Sequence, residues 1–259
     1  PLKSSFTTTD VTGNWNIPDP GIAGTVWHPM ALKIHNHKFY IGGVSVKETT
    51  ELHNIADTVN MRGVVYEFNP ATNTFTEVLR FPLTYRKGFS NNDGKYEFRN
   101  NYWSAWQNKG DISYTGPLRT GLIYKPLADP VGWATALYYG QPMLSAIEFD
   151  IDGSMIIGIR DRFGDQGGYA NYFETGNVAG ETYRTLSSGE VLRAGKSGSA
   201  WVFENAGSVT SNGVTTTTPG LTDNNPVMTG SWNPVAGMPW GGSYGPGGGY
   251  YYYNHNFSL

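Results

Sequence analysis

The stretch Ile147-Glu148-Phe149-Asp150-Ile151-Asp152-Gly153-Ser154-Met155-Ile156-Ile157-Gly158-Ile159 decides the fold class. Two apolar, β-branched runs flank a polar segment that contains Asp-Gly. Glycine takes positive φ without steric cost, and aspartate bonds nearby backbone, so the chain reverses there. This predicts a β-hairpin over residues 146–159. The same signal recurs to either side. Residues 31–41 read as a hairpin around His35-Asn36-His37-Lys38, and residues 64–78 as one around Asn69-Pro70-Ala71-Thr72-Asn73. Residues 189–204 and 118–136 supply two more. Only residues 50–61, with Leu52, Ile55, Ala56 and Val59, carry helical spacing.

The composition agrees. Gly and Pro together supply 49 of 259 residues, and aromatics make up 14% of the chain. Charged residues are only 15%, against a usual value of about 25%. Such a chain cannot be a coiled coil, and its aromatics are enough to build a core. A net charge of −3 gives no basic face for nucleic acid. There is no cysteine, so disulfides, thiolate metal sites and a cysteine nucleophile are absent. No apolar run reaches the roughly 18 residues of a membrane-spanning helix. The chain opens Pro1-Leu2-Lys3, which reads as a mature or trimmed product.

A repeat connects the hairpins. Pro29-Met30-Ala31-Leu32-Lys33-Ile34, a turn and Phe39-Tyr40-Ile41-Gly42-Gly43 resembles Pro142-Met143-Leu144-Ser145-Ala146-Ile147, a turn and Met155-Ile156-Ile157-Gly158. A second hairpin follows each. A hairpin ending in glycine, then another, is the pattern of a four-stranded propeller blade.

Four stretches carry a family resemblance. They are residues 64–76 with Phe81-Pro82-Leu83-Thr84-Tyr85, residues 142–155 with Gly158-Ile159-Arg160-Asp161-Arg162, residues 189–194 with Trp201-Val202-Phe203-Glu204-Asn205, and Gly245-Pro246-Gly247-Gly248-Gly249-Tyr250-Tyr251-Tyr252. Together, over about residues 28–255, the chain resembles the propeller-like region of large bacterial surface proteins that carry SdrD-type B repeats. The resemblance implies a partial propeller lacking later blades, at the surface of a bacterium. It assigns no catalytic residue.

Several groups invite chemistry. Asp150, Asp152, Asp161 and Asp165 form the densest acidic cluster, and carboxylates beside a glycine turn can ligate Ca²⁺. The EF-hand spacing is excluded, because Gly153 lies only three residues after Asp150. Arg160 and Arg162 alternate with Asp161, which reads equally as an ion-pair ladder. Tyr102, Trp103 and Trp106, with Trp133, Tyr138 and Tyr139, could stack on a sugar or pack a core. His35 and His37 could hold a metal with a third ligand, or simply decorate a turn. Gly195-Lys196-Ser197 lacks the leading glycine of a phosphate loop, since Glu190 stands there. Thr8-Thr9-Asp10-Val11-Thr12-Gly13-Asn14-Trp15 resembles the structural Asp-box turn of sialidases, with its glycine one position late.

The charge deficit is uneven. After Glu204 the only charged residue is Asp223, and the end of the chain holds Tyr250, Tyr251, Tyr252, Tyr253 and Phe257. An aromatic strand without charge or proline lacks the usual edge protection, so it is expected to pair with another strand or chain. Residues 1–204 thus read as a blade region and 205–259 as a charge-poor segment of the same domain or an inter-chain interface.

The expected fold is all-β, an incomplete or elaborated β-propeller with long loops, or alternatively a β-sandwich. The expected function is non-enzymatic: a structural or adhesive module of an exported bacterial surface protein, outside the cell, assembling through sheet edges. Its partners would be other copies or the rest of the same protein, with no nucleic acid and no membrane insertion. No cofactor is expected unless the acidic cluster takes calcium. A carbohydrate- or calcium-dependent binding module and a glycan-active enzyme are the alternatives.

Overall fold

The computed structural model describes residues 13–49, 55–85, 103–107, 123–126, 134–138, 140–167, 182–185, 189–204 and 208–217. Strands β1 (Val26–His35), β2 (Lys38–Val46), β3 (Glu48–Thr49), β4 (Arg62–Asn69) and β5 (Thr74–Pro82) come first. Then follow β6 (Trp106–Gln107), β7 (Ile123–Pro126), β8 (Ala134–Tyr138), β9 (Pro142–Phe149) and β10 (Met155–Asp161). After a short helix α1 (Arg162–Gly167) come β11 (Thr182–Thr185), β12 (Glu190–Ser197), β13 (Ala200–Phe203), β14 (Ser208–Ser211) and β15 (Val214–Thr217). The fold is all-β, with antiparallel pairing in its two large sheets. Within residues 50–61, only a 3-10 turn at Ile55–Thr58 is described, where the spacing predicts a longer helix.

The hairpins fall where the turn chemistry places them. Asn36 and His37 adopt positive φ between β1 and β2, the geometry a two-residue hairpin turn requires. Gly153 does so between β9 and β10, and Asp150 and Asp152 hold that turn by accepting from the amides of Ile151 and Ser154. Ser208–Ser211 and Val214–Thr217 pair as the β14–β15 hairpin.

Two four-stranded sheets of one plan form the body. Their orders are β1-β2-β4-β5 and β9-β10-β12-β13. They pack face to face, with β1 against β9 and β13 against β5. One core lies between them. Val44, Val65, Leu79 and Phe81 come from the first sheet, and Leu144, Ile147, Met155, Ile157 and Leu192 from the second. Phe81 stacks on Phe203 across the gap, with ring centroids 4.6 Å apart. Lys33 pairs with Glu148 at the other edge. The described residues form no closed ring of sheets.

The duplication is closer in space than in sequence. In each sheet a bulge in the first strand (Met30, Ser145) precedes an alanine (Ala31, Ala146). That alanine pairs with a glycine of the second strand (Gly42, Gly158), which pairs in turn with a valine of the third (Val65, Val191). Pairing therefore equates Ala31 with Ala146 and Leu32 with Ile147. Sequence similarity alone sets Pro29 against Pro142, which shifts the first strand by two residues. The two hairpins also differ in turn length: two residues in one, and five, Asp150 to Ser154, in the other.

Gly42 is required by the packing. A Cβ there would lie 2.6 Å from Leu144 Cδ2 and 2.7 Å from Ile147 Cδ1. Gly195 has the same role for the β14–β15 hairpin, since its Cβ would lie 1.9 Å from the Thr210 carbonyl oxygen.

Candidate functional site

The acidic residues singled out from sequence are divided by β10. Asp150 and Asp152 stand at its start, and Asp161 and Asp165 at its far end. Seven strand residues span roughly 20 Å, too far for one ion. At the near end the cation is Arg193, nine-tenths buried on β12. Its Nη2 donates to Asp152 Oδ2 at 3.1 Å and Ser154 Oγ at 2.9 Å, and its Nη1 to Thr216 Oγ1 at 2.9 Å. Asp150 Oδ2 lies 3.8 Å away. The Asp152 carbonyl also accepts from Ser211 and Asn212. One guanidinium thus ties the β9–β10 turn to the β14–β15 hairpin.

Burial pushes the Asp152 carboxyl up, but the Ser154 hydrogen bonds and the Arg193 charge outweigh it and hold the group below its ordinary value. A depressed carboxylate adds stability that is complete above the unfolded pKa and is lost as pH falls through the folded one. Arg193→Met is therefore expected to cost about 2–3 kcal/mol near neutrality, because charged hydrogen bonds are lost while their acceptors stay half-buried. The gap to wild type should narrow as pH falls below the ordinary carboxylate range, because Asp152 protonates only there. Urea melts across that range check both. A gap that does not change with pH would contradict the assignment.

At the far end of β10, Asp161 is fully buried. Its Oδ1 accepts from the amides of Gln141 and Gly164, capping α1. Asp165 accepts from Arg160 at 2.9 Å. Among the described residues no three His, Cys, Asp or Glu side chains gather as a metal site.

The aromatic residues Trp103 and Trp106 lie in the core. His28 stacks on Trp106 with centroids 4.0 Å apart, and the Arg162 guanidinium sits 4.6 Å from the ring centre. Trp106 Nε1 donates to the Pro142 carbonyl. Neither indole presents an open face to a sugar. His28 Nε2 approaches Glu48 at 3.2 Å, yet burial lowers its pKa and Arg162 adds to the effect against Glu48. Tyr102, Trp133, Tyr139, the Asp-box stretch through Thr12, and the tail residues Tyr250, Tyr251, Tyr252, Tyr253 and Phe257 lie outside the described residues.

A second buried polar group has no local signal in the sequence. Tyr85 Oη donates to Glu190 Oε2, and Trp103 Nε1 lies 3.1 Å from the phenol oxygen and 3.2 Å from the carboxylate. Tyr85 and Glu190 are 105 positions apart. Burial, with the Glu190 charge, pushes the Tyr85 phenol well above its ordinary range, so it stays a donor. The groups bridge the end of β5, the 103–107 segment and β12.

A cleft of about 380 Å³ runs beside β13, lined by Lys196, Val202, Phe203, Ser208, Val209 and Thr210. The outer face of the first sheet exposes two neighbouring apolar side chains. Leu32 and Ile34 alternate with the inward Ala31 and Lys33, and they are 64% and 60% exposed. The rest of that face is covered: Trp15 rests on Phe68, and Trp27 meets Tyr66 edge-on.

No protein-family model matches the chain, and no solved structure matches it. A curated relative is Colossin-A of Dictyostelium discoideum, 30% identical over 145 residues. That stretch is 56% of this chain and 1% of Colossin-A, so the chain spans only a small fraction of that relative's length. These findings overturn the resemblance to bacterial surface proteins with SdrD-type repeats: no such family matches, and the relative comes from a eukaryote. The shared hairpin residues reflect turn chemistry and strand alternation, which unrelated β-sheets repeat.

Among the described residues no helix is long and apolar enough to cross a membrane.

Proposed function

We propose that this chain is a non-enzymatic structural or adhesive module of a long exported protein. It works outside the cell or at its surface. Its two matched sheets are adjacent blades of a propeller-like stack, and it assembles with further copies through its sheets.

The observation that carries this reading is the duplication. One blade plan, with its bulge and its Ala–Gly–Val row, occurs twice and packs on itself. The well-connected polar groups support it, because they hold elements together: Arg193 ties two hairpins, Asp161 caps a helix, and Glu67 accepts from both Lys38 and Tyr40. The match to a relative about a hundred times longer than the matched stretch also suits an architectural module. The charge-poor, cysteine-free composition fits an exported setting. The tail aromatics from Tyr250 to Tyr253 are proposed to pair with another chain.

A second reading, a glycan-binding module, draws on the cleft beside β13. Two measurements separate the readings. The purified chain is expected to turn over none of a panel of glycosides, esters and peptides, and to bind no sugar on a glycan array. Turnover that disappears on unfolding overturns the structural reading in favour of an enzyme. Saturable sugar binding that is lost when Lys196 and Thr210 are replaced favours the binding module.

A further inference from the structure

The two sheets are also joined at the end of β10 away from its turn, and the 103–107 segment is the wedge between them. On one side the Trp106 amide donates to the Lys47 carbonyl at 2.9 Å, and Trp106 pairs with Glu48 of β3. On the other side the Ser104 amide donates to the Gly140 carbonyl at 2.7 Å, and Trp106 Nε1 to the Pro142 carbonyl at 2.9 Å. Residues that follow β2 and residues that open β9 therefore grip the same segment. The Trp106 indole is buried there.

Two groups able to carry positive charge lie against that indole. The Arg162 guanidinium, at the start of α1, is 4.6 Å from the ring centre and donates to Gln141 Oε1 at 2.5 Å. The His28 imidazole of β1 stacks on the ring, with 4.0 Å between centroids and 25° between planes. A guanidinium stays charged at any pH the fold meets, whereas an imidazole charges only in acid. Among the described residues, the charges acting on His28 are Glu48 of β3 and this same Arg162. Strand β2 sets the uncharged Val44 beside it, and β6 the Trp106 ring. Glu48 Oε1 lies 3.2 Å from His28 Nε2, but the Glu48 side chain is 38% exposed and that of His28 only 19%. Water screens the carboxylate while the imidazole is largely out of its reach. Burial is the larger effect, and with Arg162 it holds the imidazole below the ordinary histidine value.

We propose that His28 makes this joint acid-sensitive: uncharged, it stacks on Trp106 and closes the joint, and proton uptake loosens the first sheet's hold on the 103–107 segment. A second cation then stands with Arg162 at one ring, and a charge enters a site largely closed to water. The folded protein takes that proton less readily than the unfolded chain does. The stability of the joint is therefore complete above about pH 6.5 and is lost in part as pH falls below it. This device goes beyond the structural reading above and does not depend on it.

The test compares the full 259-residue protein with His28→Phe, which keeps a flat ring on Trp106 and cannot take a proton. Amide exchange at Ser104 and Trp106 is followed at about pH 7.5 and about pH 5.5, on either side of the histidine range. The two proteins are compared at the same pH, so intrinsic exchange rates cancel. Wild type should exchange faster relative to His28→Phe at the lower pH than at the higher. Urea midpoints should move the same way, with wild type becoming less stable relative to the variant in acid. A gap that does not change with pH, or that moves in favour of wild type, overturns the proposal. Should His28→Phe fail to fold, the imidazole titration read by NMR decides. His28 of wild type should titrate below the roughly 6.5 of a free histidine. Arg162→Met should raise that midpoint, and Glu48→Gln should lower it further. A wild-type midpoint at or above the free value, or one that neither substitution moves, overturns the proposal. Those results leave the structural reading standing, since it is judged separately by turnover and sugar binding.

Discussion

Replacing Trp103 with alanine is expected to lower the unfolding free energy by about 3–5 kcal/mol, the range for truncating a large buried aromatic. Trp103 is fully buried in the core shared by both sheets. Its loss leaves a cavity and removes an indole N–H that lies within reach of Tyr85 Oη and Glu190 Oε2. Near the melting point each kcal/mol is worth roughly 2–4 °C in a domain of this size. The melting temperature should therefore drop by roughly 6–20 °C. Trp103→Phe helps to separate the two contributions, because it keeps most of the apolar area and deletes the N–H with the outer part of the indole. It should cost about 1–3 kcal/mol, the loss of one hydrogen bond to a buried polar group. Chemical denaturation of the three proteins measures both. If Trp103→Ala lies within about 0.5 kcal/mol of wild type, the segment is not part of the cooperative core.

The reasons such a residue escapes a sequence reading are physical. The hairpins were legible because their turns are local: Asp152-Gly153 and Asn69-Pro70 fix backbone geometry within four or five residues. The partners of Trp103 are not local. Glu190 lies 87 positions away, and no spacing rule links an indole to a carboxylate at that distance. Arg193 is similar. It reads as an ordinary strand residue until the fold brings Asp152 and Thr216 to it. The acidic residues from Asp150 to Asp165 illustrate the opposite failure. They are close in the chain, but an extended strand separates its ends as efficiently as any structure can. Composition gave the same mixed result for the aromatics. It marks Trp103 and Trp106 as notable, but an indole in a β-rich chain serves a core as readily as a sugar site.

The repeat yields a matched pair of substitutions. Gly42→Ala is expected to destabilise by about 1–3 kcal/mol, the usual range for overpacking a core. Its new methyl would meet Leu144 and Ile147 at contacts real Cβ atoms do not make, so the sheets must part or those side chains must leave their rotamers. Gly158→Ala stands at the corresponding position, in the same pairing register. Its methyl meets only the Ala146 Cβ, at 3.2 Å, which a slight shift relieves. Replacing glycine in a strand also limits the freedom of the unfolded chain, worth about 0.5–1 kcal/mol in favour of the folded state. Gly158→Ala should therefore be neutral or mildly stabilising. The two variants change the same atoms at equivalent places, so propensity and unfolded-state effects largely cancel between them. The difference that remains reports how closely other side chains press on each glycine. Equal costs would mean that both glycines are equally tightly packed in the free protein.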